Sequence, residues 1–97
     1  MVMEVEIIRV RMPRGRELLG TVTEMLGASR FRIDGTDGKE RICRIPGSFK
    51  RRIMVKIGDI VLIEPWEIQP EDRGDIIWKY KPAQVGWLIN RGLLKKT

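Results

Sequence analysis

Apolar and polar positions alternate with a period of two over most of this chain, and take up a helical period only near its end. From Glu17 to Leu26 the β-branched Thr21, Val22 and Thr23 favour a strand, with Gly20 marking a bend or a close backbone approach and Gly27-Ala28 ending it. Ser29 to Asp34 sends Phe31 and Ile33 one way and Arg30 and Arg32 the other. Gly35-Thr36-Asp37-Gly38 predicts a hairpin loop whose two glycines supply positive φ. Lys39 to Ile45 is the return strand; its alternation slips between Ile42 and Ile45, which predicts a β-bulge there.

Pro46-Gly47 breaks the pattern, and Ser48 to Arg52 has room for one helical turn with Ser48 as its N-cap. Ile53-Met54-Val55 is a short extended piece, and Gly58-Asp59 turns the chain into Ile60 to Glu64. That continuous apolar run predicts a strand covered on both sides. Pro65 to Gly74 reads as a polar loop holding Trp66. Asp75 to Tyr80 follows as a fifth strand, with Ile76, Trp78 and Tyr80 on one face and Ile77 and Lys79 on the other. Phe31, Trp78 and Tyr80 are therefore expected in the core. The period then changes: Pro82 suits a first helical position, Val85, Leu88 and Ile89 follow at helix spacing, Ala83 and Trp87 are another i,i+4 pair, and Gly92 is a stop.

The expectation is an all-β domain: a five-stranded barrel of the OB type, with a brief turn of helix between the third and fourth strands and a helix appended at the C-terminus. Residues 1–16 read as a flexible basic arm, 17–81 as the barrel, and 82–97 as the helix packed on it with a short tail. In OB-folds the second and third strands with adjoining loops form the usual face for oligonucleotides.

Charge changes the picture more than composition does. The net charge is +6, but thirteen of the nineteen Lys and Arg lie between Arg9 and Lys56 against five acids, a local charge of +8. A folded cationic surface attracts polyanions and releases their counterions on contact. The absence of His and the single Cys43 remove the commonest general base, an intramolecular disulfide and a thiolate metal cage. Asp34 with Asp37, and Glu71, Asp72 and Asp75, are acids of turns and loops rather than a nuclease's Mg²⁺ ligands. The expectation is a non-enzymatic protein without metal or cofactor. The acidic N-terminus is no signal peptide and the longest apolar run, Ile60-Val61-Leu62-Ile63, is too short for a membrane span, so a cytoplasmic location is expected.

Ile8-Arg-Val-Arg-Met-Pro13, Met25-Leu-Gly-Ala-Ser-Arg30, Asp37-Gly38, Arg44-Ile-Pro-Gly47, Lys50 with Arg52, Gly58-Asp59, Pro65-Trp-Glu67, Asp75-Ile-Ile-Trp78 with Tyr80, and Gln84-Val85 with Trp87-Leu88 occur in one order along the chain. In that order they resemble the archaeal translation initiation factor 1A family, whose barrel is of the ribosomal S1 type. The resemblance implies a monomer that binds rRNA of the small ribosomal subunit at the decoding (A) site. It also implies help in placing initiator tRNA and mRNA, beside other initiation factors. The chain stops at Leu94-Lys-Lys-Thr97 without the acidic tail of eukaryotic relatives, so a tail-dependent role is not expected. Met54 stands where many family members carry Trp; its thioether arm can still cover a base.

The residues expected to meet RNA are Arg30 and Arg32 on the second strand, with Lys39, Arg41 and Arg44 on its hairpin partner. Phe49, Lys50, Arg51, Arg52, Met54 and Lys56 follow the Pro46-Gly47 break, and Arg9, Arg11, Arg14 and Arg16 are possible arm contacts. Arg suits RNA because its planar fork grips phosphate and stacks on bases. Phe49, between Ser48 and Lys50, is a better stacking candidate than Trp66, which either stacks or caps the barrel. Alternatives are a general single-stranded RNA chaperone of the cold-shock sort and a protein-interaction adaptor using Trp66, Trp87 and the helix.

Overall fold

The computed structural model describes residues 10–47 and 54–95. Five strands close a barrel in the order β1-β2-β3-β5-β4: β1 (Leu18–Gly27), β2 (Arg30–Gly35), β3 (Glu40–Arg44), β4 (Ile60–Pro65) and β5 (Arg73–Lys79). All pairs are antiparallel except β3 with β5. This is the OB arrangement, and α1 (Pro82–Asn90) follows it. The expected helical turn at 48–52 lies outside the described residues.

Strand alternation builds two apolar layers. Val22, Phe31, Ile33, Cys43, Ile45, Val55, Val61, Ile63 and Ile76 fill the barrel. Leu19, Leu62, Ile77, Tyr80 and Leu88 form a second cluster outside it, joined by the half-buried Val10, Ile60, Val85, Trp87 and Leu94. The unbroken run in β4 is explained by this arrangement. Val61 and Ile63 face the interior, Leu62 faces the outer cluster, and none retains any exposure. Burying a side chain of this size stabilises by about 1.5–3 kcal/mol.

Three details differ from the sequence expectation. The bulge foreseen in the return strand is absent: β2 and β3 pair without interruption from Arg30↔Arg44 to Asp34↔Glu40, and the register shifts fall in β1, at Val22/Glu24 and Met25/Gly27. Alternation in β3 looked broken because a charged residue, Arg41, faces inward while Ile42 faces out. Next, β5 carries a register shift of its own, Leu62 pairing Trp78 while Ile63 pairs Ile76. The extra residue, Ile77, joins the outer cluster, and Trp78, expected in the core, is 40% exposed. Finally, only Gly38 of the two hairpin glycines takes positive φ (+81°). At Gly35 a Cβ would lie 2.6 Å from Asp37 Oδ1 and 3.0 Å from Arg41 Nη1, so a larger residue would have to push those side-chain ends aside.

Val10–Arg16, assigned by its composition to the arm, lies against the barrel. The Tyr80 hydroxyl donates to the Arg11 carbonyl, Val10 packs on the outer cluster, and Arg16 Nη2 donates to the Trp66 carbonyl at 2.8 Å. In α1, Leu88 is buried, while Val85 and Trp87 pack beside it; Ala83 is exposed. The helix opens with the Lys81 N–H donating to Gln84 Oε1 at 2.8 Å and closes with the Gly92 N–H donating to the Ile89 carbonyl.

Candidate nucleic-acid interface

Register sorts the expected contacts by face. Arg30 lies opposite Arg44, and Arg32 opposite Ile42, all on the outside of the β2–β3 hairpin. Arg41 lies opposite Ile33, which is inside the barrel. It is 4% exposed and held at all three nitrogens: Nη1 and Nη2 donate to the Asp37 carboxylate at 3.0 and 2.8 Å, and Nε donates to the Pro70 carbonyl at 2.6 Å. These bonds hold Asp37 well below the usual carboxylate range and raise Arg41 further. Arg41, grouped with the RNA contacts on sequence, is thus a clasp tying the hairpin loop to the β4–β5 loop. Three of its five N–H donors are used in these bonds, and the side chain is buried.

Arg32 is outside but bridged, its Nε 2.9 Å from Glu24 and its Nη1 2.7 Å from Glu40. The Glu40 and Glu24 bonds, in that order, raise its pKa. Lys39 stands 3.4 Å from Glu71, and Arg11 3.7 Å from Glu17. Water screens the Arg32 and Lys39 pairs, so phosphate can compete for these cations. Among the described residues the Arg30, Arg14 and Lys56 side chains have no carboxylate partner. Met54 is 75% exposed, and its carbonyl accepts from Lys79 Nζ at 2.8 Å. Phe49, Lys50, Arg51, Arg52 and Arg9 lie outside the described residues.

The sequence missed a constellation centred on Asp75. Parallel pairing of β3 with β5 sets Arg44 opposite Asp75, and Asp75 Oδ1 accepts from Arg44 Nε at 3.3 Å and from Trp66 Nε1 at 2.9 Å. The Arg44 guanidinium carbon lies 5.0 Å from the Trp66 ring centroid, a cation–π stack. A second such stack puts Arg11 at 5.9 Å over Trp78, and a third puts Arg91 at 4.8 Å over Trp87. No local signal marks the Arg44–Asp75 pairing, since 31 residues separate its members.

Cys43 is buried within the barrel, where burial pushes its thiol up to about 12. Among the described residues no three His, Cys, Asp or Glu are grouped to hold a metal ion. No helix among them is long and apolar enough to cross a membrane.

Comparison with known proteins places this geometry. A family model described as translation initiation factor 1A / IF-1 matches residues 8–97. Translation initiation factor 1A of Methanococcus aeolicus is 51% identical over 91 residues, covering 92% of this chain and 87% of that protein. The same-named protein of Archaeoglobus fulgidus is 46% identical over 94 residues, covering 95% and 96%. Among solved structures, translation initiation factor IF-1 from the Wolbachia endosymbiont of Brugia malayi is similar with a TM-score of 0.55 and 34% identity, over 71% of this chain and 82% of that one. The barrel order, the basic hairpin and these matches together make the chain a member of the translation initiation factor 1A / IF-1 family.

Proposed function

We propose that this protein occupies the decoding (A) site of the small ribosomal subunit during initiation, held through rRNA and without catalysis. From there it assists placement of initiator tRNA and mRNA and keeps elongator tRNA out while other initiation factors assemble. The observation that carries this reading is the family match over residues 8–97. The charge distribution supports it, because Arg30, Arg14 and Lys56 are exposed without a carboxylate partner among the described residues, in a chain whose net charge is +6. Phosphate binding by such groups is driven by counterion release and must weaken with salt. The exposed Met54 adds an apolar surface for a base, and Phe49 with Lys50, Arg51 and Arg52 extends the basic stretch along the chain.

The test is co-sedimentation with purified small subunits at two salt concentrations, with elongator tRNA as competitor. Wild type should pellet with subunits, exclude elongator tRNA from the A site and lose affinity as salt rises. Arg30→Glu and Lys56→Glu should bind more weakly, and each phosphate no longer neutralised should lower the salt slope by about 0.7–0.9. Equal pelleting of all three proteins at both concentrations, with no effect on tRNA, would overturn the reading.

A further inference from the structure

Val10 to Arg16 form a strap whose direction along the barrel is fixed at both ends. Arg16 Nη2 donates to the Trp66 carbonyl at 2.8 Å, just past the end of β4. At the other end the Arg11 carbonyl accepts from the Tyr80 hydroxyl, and Val10 packs on the outer cluster, as Ile60 does. The Tyr80 N–H donates to the Ile60 carbonyl at 3.0 Å, which puts this end of the strap where β4 begins and β5 stops. Followed toward the N-terminus, the chain therefore heads for that end of the barrel. Nine residues precede Val10, enough to span at most ~30 Å.

The surface at that end is amphipathic. Lys79, the last residue of β5, donates from Nζ to the Met54 carbonyl at 2.8 Å and lies 3.2 Å from the Asp59 carboxylate. The same carboxylate accepts from the Lys56 N–H at 2.7 Å, so residues 54–59 are fastened to the end of β5. From this segment Met54 and Ile57 stand 75% and 62% exposed. Lys56 and Lys81 are exposed too, and neither side chain has a carboxylate partner among the described residues. Bare apolar side chains beside unmatched ammonium groups suit an occupant that is both apolar and anionic.

The chain itself contains one. Residues 1–8, Met-Val-Met-Glu-Val-Glu-Ile-Ile, lie outside the described residues; they hold six apolar residues and two acids and no Lys or Arg, in a protein of net charge +6. Their pattern has a period of two: Met3, Val5 and Ile7 alternate with Glu4 and Glu6.

We propose that residues 3–8 fold back over Met54 and Ile57, with Glu4 and Glu6 beside Lys56 and Lys81, as an intramolecular cover. Being tethered, this occupant is present at an effective concentration on the order of mM, whatever the protein concentration. Lys56 and Met54 belong to the surface that the reading above offers to RNA, so RNA has to displace the acidic segment before it binds there. Salt screens the cover as it screens the RNA. The docking stands without the ribosomal reading, and only its effect on RNA affinity rests on it.

The test begins with methyl-labelled full-length protein in solution. Nuclear Overhauser contacts should join the Met54 methyl to those of Val5 and Ile7, and deleting residues 1–8 should move the Met54 signal. Affinity for a fluorescently labelled uridine ribohexamer is then measured at low salt. Glu4→Gln/Glu6→Gln should bind it roughly 2–30-fold more tightly, the combined worth of two exposed ion pairs. Val5→Ser/Ile7→Ser should also gain affinity, although it leaves the charge unchanged. A gain confined to the Gln variant would reduce the effect to long-range charge and overturn the proposal. A Met54 signal indifferent to the deletion would do the same, as would contacts that vanish on dilution, which would assign the segment to a second copy. Failure of the ribosomal reading looks different: no variant pellets with small subunits, while the Met54 contacts persist.

Discussion

Arg41 and Arg30 have the same side chain on paired strands of one hairpin, yet opposite fates. Arg41 sits inside at the barrel end with three hydrogen bonds, and Arg30 stands outside with no carboxylate partner among the described residues. Arg41→Met should therefore lower stability by about 2–3 kcal/mol, since it strands a carboxylate and a carbonyl. Arg30→Met should stay within about 0.5 kcal/mol; urea unfolding of both variants checks the contrast. Titration behaviour follows from the same contacts. Because Asp37 is held below its ordinary value, the stability it contributes is fully present above the unfolded carboxylate's pKa, near 4. That contribution is lost as pH falls through Asp37's depressed value, so Asp37→Asn should flatten the acid limb of a stability–pH profile. Cys43 behaves inversely. Unfolded, its thiol ionises near 9.0, and folded near 12, so stability should decline as pH rises above about 9, less so in Cys43→Val. At pH 8 a thiol reagent should label Cys43 only through opening of the barrel; rapid labelling of native protein would contradict its burial.

At the scale of elements, alternation was legible wherever a strand had one wet and one dry face. Phe31 and Ile33 point inward and Arg30 and Arg32 outward, as their spacing implied. It misled where a strand had to serve two layers. β5 feeds both the interior, through Ile76, and the outer cluster, through Ile77, and the bulge that permits this leaves Trp78 on the surface beneath Arg11. The outer cluster is closed by Leu88 of α1. Leu88→Ala should cost about 2–5 kcal/mol, measurable by denaturant unfolding. Because Leu88 belongs only to the outer cluster, hydrogen exchange should rise more in α1 and at Val10 to Arg16 than in the strands around Ile33 and Ile76. Uniform loss of protection would mean the two layers unfold as one.

For the whole molecule, the charge excess between Arg9 and Lys56 does not translate residue by residue into a binding surface. Arg32, Lys39 and Arg41 are matched to carboxylates, and so is Arg44, through Asp75. Among the described residues phosphate should therefore be met mainly by Arg30, Arg14 and Lys56. If so, the salt dependence of subunit binding should correspond to fewer phosphates than the thirteen basic residues of that stretch would suggest. Measuring log affinity against log salt decides this, and a slope demanding nearly all of them would argue that the ion pairs open on binding.

Sequence alone determined the strand count, the inward and outward sides of β2, the C-terminal helix and the family, because these rest on short-range periodicity and on ordered local motifs. Tertiary structure decided which arginines are available and which are clasps, that Trp78 is exposed, and that Trp66, Asp75 and Arg44 meet. The physical reason is distance along the chain. Parallel pairing of β3 with β5 joins residues 31 positions apart, and the Pro70 carbonyl reaches Arg41 from 29 positions away. No local pattern records a hydrogen bond whose partners become neighbours only when the barrel closes.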